Sequence, residues 1–361
     1  MTQAQNLPLG PVMVGVAGLV LSEQERQTLS HPKVGGVILF RRNFESIEQL
    51  CALTREIRAL RNPALVVAVD HEGGRVQRFL PGFTRLPPMR RLGELWQQDA
   101  ELARARAETV GYVLAAELRA CGLDLSFTPV LDLDWSRCAV IGDRAFAADP
   151  EVVAELALAL QRGLARGGMS SCGKHFPGHG WVEGDSHHVT PRDERTLDAI
   201  RRADLLPFAR MAKAGMGSVM PAHVVYPAVD ALPAGFSRIW LQDVLRGELA
   251  FDGVIFSDDL GMEGAAVAGG IVERARAALD AGCDMVLLCN RPDLLDTLLA
   301  ELPAPPCEAL ARRLARMHGQ RDAAHWQGVL QSVEFADCQQ VVRAMAPDER
   351  TIAGPAVGEA H

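Results

Sequence analysis

Short apolar runs alternate with stretches of helical periodicity along most of the chain. The runs are bounded by glycine or polar residues and lie at 12–17, 36–40, 65–70, 123–133, 169–175, 218–225, 253–257 and 285–289. Apolar positions with helical spacing occur between them, at 22–29, 45–60, 100–120, 151–166, 196–214, 240–249 and 263–281. The first of these helices begins with Ser22 and Glu25 in the spacing of a capping box. Near-continuous apolar strands that alternate with helices predict a parallel sheet covered by helices.

Eight such repeats predict one α/β domain, a (β/α)8 TIM barrel over residues 9–300, since barrels of this type take about 250 residues. An open doubly wound sheet is the alternative, but it would need a G-x-G-x-x-G turn after a strand, and the sequence has none. A proline-rich breaker at 303–306 precedes two amphipathic stretches, 307–318 and 324–345. We therefore predict a C-terminal helical extension over 301–346 and a disordered tail, rich in glycine, proline and alanine, over 347–361.

Composition narrows the class of protein. The chain has 361 residues, a net charge of −8 and 5% aromatic residues, which argues against nucleic-acid binding and against binding to an anionic membrane surface. The eight cysteines form no C-x-x-C pair, the apolar stretch 12–21 lacks a basic segment before it, and no apolar run reaches the length of a membrane helix. We expect a cytoplasmic, monomeric protein with reduced thiols, acting on a small-molecule substrate.

Polar residues follow seven of the eight predicted strands. In a barrel these strand ends meet on the face that carries the active site. Any one of them can be explained as a helix cap or as the start of solvent, but together they favour a site for a polyhydroxylated ligand. The residues are Arg41-Arg42-Asn43, Asp70-His71-Glu72, Asp132 with Asp134, Lys174-His175, His223, Ser257-Asp258-Asp259 and Asn290-Arg291.

The seventh strand gives the sharpest prediction. Two consecutive carboxylates, Asp258 and Asp259, leave a buried strand, and neighbouring strand residues point to opposite sides. One can then face the barrel mouth while the other braces a loop. A carboxylate in the mouth is suited to attack an anomeric carbon or to hold a cation.

A second concentration of chemistry follows the fifth strand, in 173–180 and 185–188. Asp185 can accept a hydrogen bond from His187 and orient it as a proton donor, whereas His179 and His188 are expected only to bond loop backbone. The zinc alternative draws on His175, His179, His187, His188, His223 and Asp258. A metal-dependent barrel hydrolase of the amidohydrolase type would, however, carry an H-x-H pair where this chain has Val16-Ala17-Gly18.

Two further loops are predicted to bind ligand. In 69–78 paired glycines permit a tight fold over the mouth, and Arg75 and Arg78 would share one face of a helical turn. In 141–146, Arg144 either reaches the mouth or pairs with Asp143.

The motifs at 174–180, Asp185-x-His187 and 256–262, together with 35–40, 72–78 and 220–223, resemble the family 3 glycoside hydrolases. The likeness runs from about residue 10 to 290 and is greatest to the single-domain cytosolic β-N-acetylglucosaminidases of bacterial peptidoglycan recycling. The family's strand-three motif often has glutamine where this chain has His71, a departure that leaves the flanking residues intact.

The resemblance implies roles that spacing alone does not give. Asp258 would be the nucleophile, and His187 the acid/base with Asp185 as its partner; without the resemblance, Asp185 itself would be taken as the acid, because most retaining glycosidases use two carboxylates. Substrate-binding positions fall on Asp70, Arg78, Arg144, Lys174 and His175.

The implied reaction is retaining, with no metal or other cofactor. The implied substrate is N-acetylglucosaminyl-1,6-anhydro-N-acetylmuramic acid, with or without its stem peptide. Three alternatives stay open: a phosphorylase on the same barrel, a metal-dependent barrel hydrolase, and a sugar-binding protein without activity.

Overall fold

The computed structural model describes residues 5–183, 190–303 and 307–346. Its main sheet has eight parallel strands in the hydrogen-bonded order β4-β3-β2-β1-β8-β7-β6-β5. Parallel bridges from Leu125 to Ser170 and from Val130 to Lys174 join its two edges into a nearly closed barrel, so the (β/α)8 prediction is confirmed. The strands are β1 Val12–Gly15, β2 Val34–Leu39, β3 Val66–Val69, β4 Leu125–Ser126, β5 Cys172–Phe176, β6 Ser218–Pro221, β7 Val254–Asp259 and β8 Met285–Leu288.

Helices surround this barrel. They are α1 Glu23–Leu29, α2 Ile47–Ala59, α3 Arg90–Trp96, α4 Ala100–Ala120, α5 Pro150–Arg166, α6 Leu197–Arg202, α7 Leu205–Lys213, a π-helix Ile239–Glu248, α8 Ile271–Ala281, α9 Pro292–Glu301, α10 Glu308–Ala315, α11 Ala323–Val329 and α12 Val333–Arg343. The predicted capping box opens α1, where the Glu25 amide donates to Ser22 Oγ and the Ser22 amide donates to Glu25 Oε2. Among the described residues, no helix is both long enough and apolar enough to cross a membrane.

Several predicted elements are shorter or divided. The run 123–133 contributes only two residues to β4, since Pro129 has no amide hydrogen to continue a ladder. The stretch 263–281 splits into a 3-10 turn, Glu263–Ala268, and α8, because Gly269 adopts a φ of +98° between them. The stretch 196–214 likewise divides into α6 and α7, and 324–345 into α11 and α12. The apolar pattern of the sequence does not predict α3 and α9.

The C-terminal helices pack on the outside of helix α4, and the segment before them bonds to the barrel floor, the end opposite the mouth. Helices α11 and α12 contact α4, and buried Asp124, just before β4, accepts hydrogen bonds from Arg119 (3.0 Å), Arg58 (2.8 Å) and the Gly319 amide (3.0 Å). The bond from the Gly319 amide fastens the chain after α10 to the barrel floor. The predicted tail 347–361 lies outside the described residues.

Candidate active site

A cavity of about 300 Å³ opens at the carboxyl ends of the barrel strands. It brings together six of the eight residues predicted for the site: Asp70, Arg78, Arg144, Lys174, His175 and Asp258. The other two, Asp185 and His187, fall in 184–189, outside the described residues. Glu72, His179, Asp259, Asn290 and Arg291, which the predicted site omits, also line the cavity.

Strand β7 delivers both of its aspartates to the cavity because it runs through Asp259, two residues further than predicted. Asp259 Oδ1 accepts hydrogen bonds from the amides of Gly261 (2.9 Å) and Cys289 (3.2 Å), so this carboxylate braces the loops after β7 and β8. Asp258 Oδ1 accepts the Asp259 amide at 2.8 Å. The expected division of labour is therefore partly seen, since Asp259 braces loops while still lining the cavity.

A buried ion cluster forms the opposite part of the lining. Glu72 accepts two hydrogen bonds from Arg144, through Nε and Nη2, both at 2.8 Å. Lys174 Nζ lies 2.7 Å from Glu72 Oε1 and 2.7 Å from Asp70 Oδ1, and Arg78 Nη2 lies 3.8 Å from Asp70 Oδ2. The cluster joins charges from three segments, namely the hairpin region after β3, the loop after β4 and strand β5, into one charged wall.

Glu72 and Lys174 stay ionised within this cluster. Burial alone would raise the pKa of Glu72, but Arg144 and Lys174 outweigh it and hold that pKa far below the usual range. Burial alone would lower the pKa of Lys174, but the neighbouring carboxylates of Asp70 and Glu72 outweigh it, so that this pKa is raised. Glu72 therefore cannot hold a proton to donate at neutral pH. One feature of the sequence could have indicated that Glu72 lines the site. Asp70 and Glu72 are two residues apart, the spacing that puts strand side chains on one face.

A second buried carboxylate, Asp132, orients the histidines of the cavity. It accepts a hydrogen bond from His175 Nδ1 at 2.7 Å and another from the His179 amide at 2.7 Å. Burial would raise the pKa of Asp132, but His175 outweighs it and lowers that pKa. The His179 ring lines the cavity and contacts the Cys138 thiol at 3.5 Å, so the prediction that it only bonds backbone is wrong. Burial lowers the pKa of His179 to about 4, which keeps the ring neutral at pH 7.

The predicted helical turn that would hold Arg75 and Arg78 on one face is wrong. Residues His71–Gly73 and Val76–Gln77 form a hairpin whose turn places Gly73 and Gly74 at positive φ, so Arg75 and Arg78 do not share a helical face. Of the two alternatives for Arg144, the structure agrees with the first: Arg144 lines the cavity and bonds to Glu72, whereas Asp143 pairs with Arg75 at 3.1 Å.

Some polar strand ends support the cavity from outside. His223 is buried against Phe236, with Nε2 3.1 Å from the Asp259 carbonyl oxygen. Arg42 and Asn43 donate to the Val16 carbonyl and hold the loop after β1. No group of three or more histidine, cysteine, aspartate or glutamate side chains in the described ranges is arranged to hold a metal ion.

The charged cavity lies at the carboxyl ends of the strands of a (β/α)8 barrel, where enzymes of this fold have their active sites. The chain belongs to glycosyl hydrolase family 3: the model of the glycosyl hydrolase family 3 N terminal domain matches residues 10–316. Two curated relatives that match nearly the whole chain are β-hexosaminidases, so the protein is a β-N-acetylhexosaminidase.

A β-hexosaminidase of Chromobacterium violaceum is 67% identical, across 99% of this chain and 100% of its own. One from Neisseria gonorrhoeae is 59% identical, across 98% and 99%. The crystal structure of NagZ from Neisseria gonorrhoeae in complex with N-trifluoroacetyl-D-glucosamine superimposes with a TM-score of 0.92 at 57% identity, covering 95% of this chain and all of that one.

Acid stability should depend on Asp132. Because folding lowers its pKa, the ionised carboxylate stabilises the folded state above about pH 4, the pKa of an unfolded aspartate, and that contribution is lost as the pH falls further. We expect Asp132→Asn to lower the free energy of unfolding by about 1–3 kcal/mol at pH 7 and by less at pH 3, where part of the contribution is already lost. Urea unfolding at both pH values measures this difference.

The control for that experiment is Asp296→Asn, which replaces an exposed carboxylate on α9 and should leave both values unchanged. A loss in Asp132→Asn that is the same at pH 7 and pH 3 would contradict the assignment.

Proposed function

We propose that the protein is a retaining β-N-acetylglucosaminidase that removes the non-reducing N-acetylglucosamine from peptidoglycan fragments, namely N-acetylglucosaminyl-1,6-anhydro-N-acetylmuramic acid with or without its stem peptide. In this proposal Asp258 is the nucleophile, His187 the acid/base and Asp185 the partner of His187. Asp70, Arg78, Arg144, Lys174 and His175 bind the sugar.

The observation that carries the proposal is the state of the four carboxylates that line the described cavity. Glu72 is held ionised between two cations, Asp70 is bonded to Lys174, and Asp259 accepts two backbone amides. Asp258 is then the carboxylate best suited to attack an anomeric carbon. None of the other three is suited to protonate a leaving group, which supports an acid from outside this set.

The reaction follows in two steps. An Asp258 oxygen bonds to the anomeric carbon as the glycosidic bond breaks, and protonated His187 gives its proton to the departing oxygen. Neutral His187 then takes a proton from water, the water oxygen attacks the anomeric carbon, and the bond to Asp258 breaks. N-acetylglucosamine leaves with its original β configuration. Hydrogen bonds from Lys174 and Arg144 to sugar hydroxyls fix the ring for both steps.

Three measurements test the proposal. Purified protein should release 4-nitrophenol from its N-acetyl-β-glucosaminide, but not from the β-glucoside, and EDTA should not change the rate. With the anhydro disaccharide, NMR should detect the β-anomer of N-acetylglucosamine first. A mechanism-based fluoro sugar should leave a covalent adduct on the peptide that contains Asp258.

Each rival predicts a different result. Appearance of sugar 1-phosphate in millimolar phosphate would indicate a phosphorylase, and loss of activity with EDTA would indicate a metal-dependent hydrolase. Release of the α-anomer first would contradict a covalent intermediate. An absence of turnover on every substrate would contradict the proposed activity.

A further inference from the structure

Glu72 lies at the centre of the charged wall of the cavity, and the proposed reaction gives it no step. Its side chain is buried, and its two oxygens are occupied by three donor atoms, Arg144 Nε, Arg144 Nη2 and Lys174 Nζ. A carboxylate bound in this way has little capacity left to accept a sugar hydroxyl. Its effect on substrate must therefore pass through the two cations.

The contacts of Glu72 fix the direction of those cations. Arg144 is held through Nε and Nη2 by Glu72 and through Nη1 by the Val140 carbonyl at 3.2 Å. Lys174 is held between Glu72 and Asp70. The hydrogens that these two side chains can still donate therefore point in set directions before a sugar enters, which reduces the cost of ordering them on binding.

Glu72 also sets the net charge of the wall. Three cations, Arg78, Arg144 and Lys174, face two anions, Asp70 and Glu72. With a neutral side chain at position 72, the three cations of the wall would keep Asp70 as their one carboxylate within the wall, while Asp258 and Asp259 lie across the cavity. Uncompensated charge is most costly where it is buried. Such a site attracts a small anion, and it opposes the positive charge that develops on the sugar in the transition state.

We propose that Glu72 is a positioning residue that orients Arg144 and Lys174 and neutralises part of their charge, so that the sugar site selects neutral hydroxyl groups and rejects anions. This inference rests on the proposed glycosidase activity, which the wild-type enzyme tests separately in the same assay. The charge of Glu72 neutralises the two cations, and the length of its side chain orients them. Two substitutions separate these contributions.

Glu72→Gln removes the charge and keeps the length of the side chain. We expect kcat/KM for 4-nitrophenyl N-acetyl-β-glucosaminide to fall by about 10²-fold, the cost of a misplaced binding group. Sodium sulfate, a probe that no glycosidase step consumes, should compete with substrate at least about tenfold more strongly than it does in the wild type at equal ionic strength.

Glu72→Asp keeps the charge and shortens the side chain by one methylene, so that it cannot reach both cations. We expect a similar fall in kcat/KM, weaker inhibition by N-acetylglucosamine, and sulfate inhibition equal to that of the wild type. A purely structural role for Glu72 would not separate the two variants by their response to sulfate.

The matched control is Glu117→Gln, which replaces another buried carboxylate. Glu117 is bonded to Thr84 and Gln339, and it does not line the cavity. This variant should keep wild-type kcat/KM and wild-type sulfate inhibition whatever its thermal stability.

Sulfate inhibition in Glu72→Gln no stronger than in the wild type would overturn the neutralising role, and wild-type kcat/KM in Glu72→Asp would overturn the positioning role. If Glu72→Gln does not fold, Glu72→Ala, which also removes the charge, replaces it in the sulfate measurement, and Glu72→Asp decides the positioning role through kcat/KM. An inactive wild type would instead count against the proposed function.

Discussion

Asp258→Ala should reduce kcat by at least about 10⁴-fold, the scale seen when a catalytic nucleophile is removed. Without this carboxylate no glycosyl-enzyme can form, and the charge that stabilises the oxocarbenium-like transition state is lost. Steady-state turnover of 4-nitrophenyl N-acetyl-β-glucosaminide measures the loss, and thermal unfolding checks that the variant is folded.

Azide makes this prediction specific to a nucleophile. In Asp258→Ala the methyl side chain leaves space for a small anion on the face of the sugar that the carboxylate would attack. For a dinitrophenyl N-acetyl-β-glucosaminide, whose leaving group needs little protonation, added azide should restore turnover and give the α-glycosyl azide. Formation of the β-glycosyl azide, or a variant that retains most of its activity without azide, would contradict the assignment.

The neighbouring Asp259→Asn is the matched control. Asp259 uses Oδ1 to accept the Gly261 and Cys289 amides, and an asparagine oxygen can accept the same bonds. We expect a much smaller loss of kcat and no response to azide.

The barrel could be predicted from sequence because its signal is local and repeated. Each strand is an apolar run flanked by glycine or polar residues, and the Ser22 capping box needs only four consecutive residues to be recognised. The predicted element boundaries are wrong where the hydropathy pattern conflicts with the backbone conformation of particular glycines. Gly269 ends a turn that hydropathy alone would continue into α8, and Gly73 with Gly74 closes a hairpin where helical spacing of arginines was expected.

The site was predictable as a set of strand ends but not as a network. Glu72 and Arg144 are 72 positions apart, and no pattern in one sequence indicates that they pair. Asp132 illustrates the same limit, because its bond to His175 depends on how the edges of β4 and β5 meet. Polar residues at strand ends therefore indicate where chemistry occurs, whereas their partners follow only from barrel closure.

His187→Ala should separate substrates according to their leaving groups. General acid catalysis is worth about 10²–10⁴-fold when the leaving oxygen is basic. We expect kcat/KM for the anhydro disaccharide to fall within that range. For a dinitrophenyl glycoside, whose leaving group needs little protonation, the fall should be below about tenfold.

Glu72 and His179, two titratable groups of the cavity, are poor substitutes for His187 as the acid. Glu72 is held ionised by Arg144 and Lys174, so it cannot substitute as the acid when His187 is removed. His179 is also a poor substitute, because burial lowers its pKa to about 4. The residual activity of the variant on the disaccharide should accordingly lack the basic limb that the wild-type pH profile owes to the loss of the His187 proton.

His188→Ala provides the control, because it removes the adjacent imidazole while leaving the proposed acid in place, and it should keep wild-type kcat/KM on both substrates. Asp185→Asn should weaken the disaccharide reaction more than the dinitrophenyl reaction, as expected for a residue that acts through His187. Equal losses on the two substrates in His187→Ala would mean that the histidine positions sugar and donates no proton. The acid would then have to be sought among the residues that bind the aglycone.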